Sequence, residues 1–146
     1  MALLNYSTSV PVERTVAKIM QSLVKAGARG IHHTYTDGVL TSLTFTVDAP
    51  FGSQAYTLPV NVAHVQAVLW RQKVQPRFRT TEHAARVAWR IVETWVAAQL
   101  ALIETEMVGL DQVMLPYAHT DDAGTTLYQR FVEQRSAAAL LPSGAS

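Results

Sequence analysis

The sequence contains no cysteine. That excludes disulfide stapling, thiolate zinc sites and thiol catalysis, and it fits an intracellular protein. Charge is scarce as well. Asp, Glu, Lys and Arg make up 16% of the residues, against roughly 25% in an average soluble domain, and the shortage leads us to expect that other subunits cover part of the surface. Nor does one sign dominate: 12 Lys and Arg face 11 Asp and Glu, for a net charge of +1. That balance is too even for coating DNA through bulk charge, so any nucleic-acid or anion site must be local. No apolar run approaches the roughly 18 residues of a membrane span. The N-terminal Met1-Ala2-Leu3-Leu4-Asn5 carries no basic stretch ahead of a long apolar segment, which excludes a secretory signal of the usual kind and sets the expectation of a cytoplasmic protein.

What is present is 146 residues, 49% of them apolar, enough for one core and too few for two. We expect a single α+β domain over residues 1–135 and a flexible tail over 136–146, where Ala, Ser, Pro and Gly dominate. Val12, Val16, Ile19, Leu23 and Val24 recur at helical spacing after Pro11, which predicts a helix from Val12 to Ala26 stopped by Gly27. Ile31–Tyr35 and Leu40–Val47 are rich in β-branched and aromatic residues around Asp37-Gly38, the signature of a tight hairpin. A second turn from Asp48 to Gly52 leads into a strand from Gln54 to Leu58, giving a three-stranded antiparallel meander to which Leu3–Ser7 can add an edge strand. Asn61 caps a helix from Val62 to about Lys73, and Thr80 or Thr81 caps a longer one from Glu82 to about Val108, with Gly109 beyond its end. At roughly 40 Å, and apolar except along Arg86, Arg90, Glu93 and Ala97, this long helix is expected to pack partly on another subunit. Leu110–Tyr117 reads as a short segment wedged against it, and Thr125–Gln134 as a last short helix. The fold expected is therefore a small antiparallel β-meander packed with helices, followed by one long C-terminal helix, in a homo-oligomer.

The local charge imbalance sits between Arg71 and Arg90, where six basic residues, Arg71, Lys73, Arg77, Arg79, Arg86 and Arg90, face one acid, Glu82. Guanidinium groups donate in a fork and suit phosphate, more so beside the exposed amides of a helix N-terminus. Phe78 between two arginines offers a face on which a base can stack. The candidate ligand-binding residues are thus Arg71, Arg77, Phe78, Arg79, Arg86 and Arg90. The competing reading makes the same arginines structural, paired with Glu93, Glu104, Glu106, Asp111, Asp121 and Asp122. Catalysis finds little support. His32 and His33 are adjacent in a strand and point to opposite faces, and the chain has no His-Glu-x-x-His, no Gly-rich phosphate loop and no Gly-x-Ser-x-Gly elbow. We expect no enzyme activity, no metal and no cofactor. Trp89 and Trp95 read as core or interface packing, and Thr44, Thr46 and Thr57 as an uncharged outer sheet face.

Ala88-Trp89-Arg90-Ile91-Val92, Trp95-Val96, Ala98-Gln99-Leu100-Ala101-Leu102-Ile103-Glu104, Met107-Val108, Asp111-Gln112-Val113-Met114-Leu115-Pro116-Tyr117 and Thr126-Leu127-Tyr128 resemble a group of small proteins encoded by phages and prophages. The pattern is similar to the phage anti-Thoeris sponge proteins, well over roughly the last 50 residues and loosely over the strands. That resemblance implies an N-terminal antiparallel sheet followed by long helices, and an oligomer, a dimer or higher such as a hexamer, with pockets between protomers. It also implies non-catalytic sequestration of a cyclic ADP-ribose signal made by a TIR enzyme, and in some members of cyclic oligonucleotides. No binding residue carries over from the family, because the resemblance lies in the helix pattern. The rival class is a phage single-stranded-DNA-binding or recombination accessory protein, in which the arginines line a groove and Phe78 stacks successive bases. A third is a virion or assembly protein with no small ligand.

Overall fold

A computed structural model describes residues 2–139. In chain order the elements are α1 (Val12–Lys25), β1 (Ala28–Thr36), β2 (Val39–Ala49), β3 (Gly52–Thr57), α2 (Val62–Arg71), α3 (Thr81–Glu104), α4 (Leu110–Met114) and α5 (Leu127–Ala139), with 3-10 turns at Pro76–Phe78 and Leu115–Tyr117. The three strands form one antiparallel sheet in the order β1-β2-β3. The first hairpin closes through Asp37 and Gly38, both at positive φ, 50° and 78°, as a two-residue turn matched to strand twist requires. The second closes through Pro50-Phe51, between the paired Ala49 and Gly52.

The alternation in β2 decides how the layers stack. Leu43 and Phe45 are fully buried, and Phe45 stacks on Tyr56 of β3 with ring centres 5.4 Å apart. Helix α3 packs against this sheet and against α1 and α2. Its Trp89, with no exposed surface, donates its indole N–H to the Leu40 carbonyl at 3.0 Å. Val16, Ile19 and Leu23 of α1 and Leu69 of α2 complete the core. The long helix is thus the centre of the fold and not its C-terminal element. Its first half is covered by this chain's own α1, α2 and β2, and α4 and α5 follow it.

Four expectations need correction. Helix α3 ends at Glu104 and runs 24 residues, about 36 Å, because Glu106 turns left-handed at φ 62°. Glu106 N–H then donates to Ile103 O at 3.0 Å and Met107 N–H to Leu102 O at 3.0 Å, the paired bonds of a Schellman cap. Helix α2 stops at Arg71 in the same way: Lys73, at φ 55°, donates to Trp70 O, and Val74 donates to Leu69 O. Leu3–Ser7 is a turn and not an edge strand; the place beyond β3 goes instead to Ala118, which bridges Tyr56, while His119 N–H donates to Ala55 O at 2.9 Å. Finally, Ser136–Ala139 continue α5, so the expected tail over 136–146 does not begin at Ser136, and its residues 140–146 lie outside the described residues.

The return segment also occupies the threonine face of the meander. Thr44 and Thr57 share a hydroxyl contact of 2.7 Å, and His119 Nε2 meets Thr57 Oγ1 at 2.6 Å. After it, Asp121 ties the turn to α5, accepting from Thr125 N–H at 2.9 Å and from Arg130 at 2.9 Å. The hydrogen bonds from Thr125, with the Arg130 charge, hold its carboxyl below the usual 3.8. A depressed folded pKa stabilises at pH above the unfolded value and loses that contribution as pH falls through the folded one. The protection of Thr125 and the first turn of α5 against hydrogen exchange, taken relative to the intrinsic rate at each pH, is therefore expected to hold at pH above the usual 3.8 and to fall as pH drops below it; Asp121→Asn should show the lower protection already at neutral pH.

Candidate functional site

The segment joining α2 to α3 holds most of the candidate residues. Its shape comes from the left-handed Lys73, the turn starting at Pro76, and Thr80, whose side chain caps α3 by accepting from His83 N–H at 3.1 Å. Gln66 of α2 donates to Arg79 O at 2.8 Å and accepts from the Thr81 hydroxyl, which pins the segment to α2. Arg79 donates Nε–H to Val74 O at 2.6 Å and lays its guanidinium 4.8 Å from the Trp70 ring centre. Arg77 places its guanidinium 4.6 Å from the Phe78 ring centre. Phe78 is held from beneath by the edge of Tyr6, 5.8 Å away, and by His83 at 4.9 Å. His83 is buried and its Nε2 meets the Tyr6 carbonyl.

Two guanidinium–aromatic pairs thus lie on one connection, each worth on the order of 0.5–1 kcal/mol at an exposed site. The stretch from Arg71 to Thr81 carries Arg71, Lys73, Arg77 and Arg79 and no acid. None of these four makes an ion pair among the described residues. Beside them opens a cleft of about 410 Å³ lined by Tyr6, Gln72, Lys73, Gln75 and Phe78 among others. Its walls give a cation, amide donors and acceptors, and two aromatic rings.

The other two candidate arginines lie elsewhere. Arg86, on α3, borders a larger cleft of about 670 Å³ between α1, the tip of the first hairpin and the start of α3, where Glu13, Asp37 and Glu82 also line the wall. Three carboxylates make that cleft a poor place for a pyrophosphate. Arg90 donates to Glu93 at 2.8 Å, one turn further along the same helix, as the structural reading expected of it, and its Nε is buried without a partner among the described residues. Among the described residues, Arg90 is the one of the six basic residues that pairs with a later acid. Trp70 can be read from the sequence as able to stack a planar ligand, yet it stands outside the six residues chosen as the candidate site. Its signal is an aromatic one residue before Arg71 in a helix whose buried positions are Val62 and Leu69, which leaves Trp70 56% exposed.

No group of three or more His, Cys, Asp or Glu is placed to hold a metal ion among the described residues. No described helix is long and apolar enough to cross a membrane. Comparison of the chain with protein families, with characterised proteins and with solved structures gives no match in any of the three.

Proposed function

We propose that this chain binds a phosphate-bearing cyclic nucleotide and holds it without turnover, as a phage-encoded sponge that removes a cyclic ADP-ribose isomer or cyclic oligonucleotide signal in the host cytoplasm. The observation that carries the reading is the run of four cations, Arg71, Lys73, Arg77 and Arg79, that form no ion pair among the described residues and stand beside Phe78 and Trp70. Arg90, in contrast, has its guanidinium on Glu93, and Arg79 donates its Nε–H to Val74 O. Bases stack on guanidinium planes as well as on aromatic rings, so Arg77 over Phe78 extends the stacking platform outward. The fork of the same guanidinium remains directed along its plane to receive a phosphate.

The test is retention. The purified chain is incubated with cyclic ADP-ribose isomers and cyclic di- and trinucleotides, washed and heat-denatured, and the released material is weighed by mass spectrometry. One intact nucleotide near one per site is the expected result. A chemically altered product would make the chain an enzyme, and no retained ligand across the panel would overturn the reading.

A second reading has one observation in its favour, the exposure of Trp70 at 56% on an open surface. It makes the platform a track for single-stranded DNA, with Trp70 and Phe78 stacking successive bases. Salt separates the two, since counterion release makes strand binding fall steeply between about 50 and 200 mM, whereas a cleft holding two phosphates responds weakly.

A further inference from the structure

Helix α5 has no buried residue along its 13 positions, and its packing against the rest of the chain runs mainly through the turn at Leu115–Tyr117. Leu127, Tyr128, Phe131 and Val132 are 38%, 59%, 56% and 42% exposed. At about 100° per residue they share one side of the helix. Arg135 falls in the middle of that side, its guanidinium 6.0 Å from the Phe131 ring centre. An isolated helix of this length is marginal in water, so its stability has to come from packing.

Elsewhere on the molecule a groove of about 660 Å³ runs between the ends of α1 and α3. Ala97, Leu100, Ala101 and Ile103 line it together with the charged Lys25 and Glu104. Ala97 and Ala101 are exposed and small enough to let another helix approach closely. Glu104 is the last residue of α3, which has no basic residue in its final turn. A carboxylate at the negative end of a helix dipole is unfavourable unless a cation meets it. Among the described residues no ion pair involves Glu104.

We propose that α5 of one copy lays its apolar side into the α1/α3 groove of a second copy, with Arg135 against Glu104. Charge decides for this occupant over α5 pairing with itself. A self-paired α5 would carry Arg135 of both copies into the seam, while the helix's one acid, Glu133, lies roughly 160° away around the axis, near Arg130. A charge buried without a partner is strongly unfavourable, and Glu104 supplies the partner. Donor and acceptor surfaces differ, so the contact is either exchanged reciprocally in a two-fold dimer or passed on head to tail into a ring or an open chain. This assembly is independent of what the Arg77–Phe78 platform binds.

The absence of cysteine makes a clean test possible with full-length chains. E104C and R135C each introduce one thiol at an exposed position. Mixed and mildly oxidised, the two variants are expected to give a covalent dimer that neither gives alone. By sedimentation, R135E should weaken self-association by about tenfold or more, and the double reversal E104R/R135E should recover most of it. A wild-type chain that sediments as a monomer at all accessible concentrations would overturn the proposal. So would a disulfide-linked dimer from R135C alone, which would show α5 pairing with itself, or a double reversal that binds no better than R135E.

Discussion

Trp89→Ala is expected to lower the unfolding free energy by about 3–5 kcal/mol, the range for removing a large buried aromatic. The indole has no exposed surface and sits where α3 crosses the sheet, donating to Leu40 O at 3.0 Å. Its removal opens a cavity beneath the first hairpin and leaves that carbonyl without a donor. Against a total stability of about 5–15 kcal/mol for a domain, the loss is a large fraction. Trp89→Phe separates the two contributions, because it keeps most of the apolar volume and removes only the donor; the orphaned carbonyl then costs about 1–3 kcal/mol. Denaturant titration followed by circular dichroism reads both values. A loss below about 1 kcal/mol in Trp89→Ala would mean that α3 is not the centre of the core.

The second large effect is expected at the Arg77–Phe78 platform. Arg77→Ala combined with Phe78→Leu should weaken retention of the nucleotide by about a hundredfold or more, from roughly 1.4 kcal/mol for the lost guanidinium and 1–3 kcal/mol for the lost stacking. Leucine keeps apolar volume against Tyr6 and His83, so the segment holds its place. Arg79 is a poorer probe, since its Nε–H also closes the loop on Val74 O. Arg90→Ala, in contrast, is expected to leave retention unchanged, because that guanidinium belongs to Glu93. Isothermal titration of the three proteins, the parent, the double variant and Arg90→Ala, gives the comparison. Undiminished affinity in the double variant with a loss in Arg90→Ala would move the site onto α3.

The first prediction depends on a partner 49 residues away in the chain, and the second on which of several near neighbours each arginine meets once the chain is folded. From Arg71 to Arg90 the chain displays six basic residues, and all six look alike when read in order. The fold separates them into an open platform, a mixed-charge cleft holding Arg86, and the Arg90–Glu93 pair on one helix face. The same limit applied to Trp70, which shares a helix with the buried Leu69 and differs from it by one step of about 100°. In that step an indole goes from core to surface, where Arg79 covers one of its faces.

Helix ends show where local chemistry suffices and where it fails. Asn61, and Thr80 of the two threonines offered, marked helix starts correctly, because an N-cap is a side chain acting on amides two or three residues away; Pro11 marked the start of α1 without a side-chain cap, through its fixed φ. Gly109 misplaced the end of α3, since Glu106 accepts a left-handed conformation that an L residue enters at a cost of about 1–2 kcal/mol, and packing of the helix offsets that cost. The sequence by itself determined the elements whose causes are short-range: the amphipathic α1, the Asp37-Gly38 hairpin, the alternation of β2 and the caps of α2 and α3. Only the tertiary structure decided that α3 is wrapped by its own chain over its first half, that Ala118 and not Leu3–Ser7 lies beside β3, and which arginines stay free. The first two outcomes rest on contacts between residues tens of positions apart, and the third on which of several near neighbours each guanidinium meets once the chain is folded; both depend on burial and geometry that the order of residues does not contain.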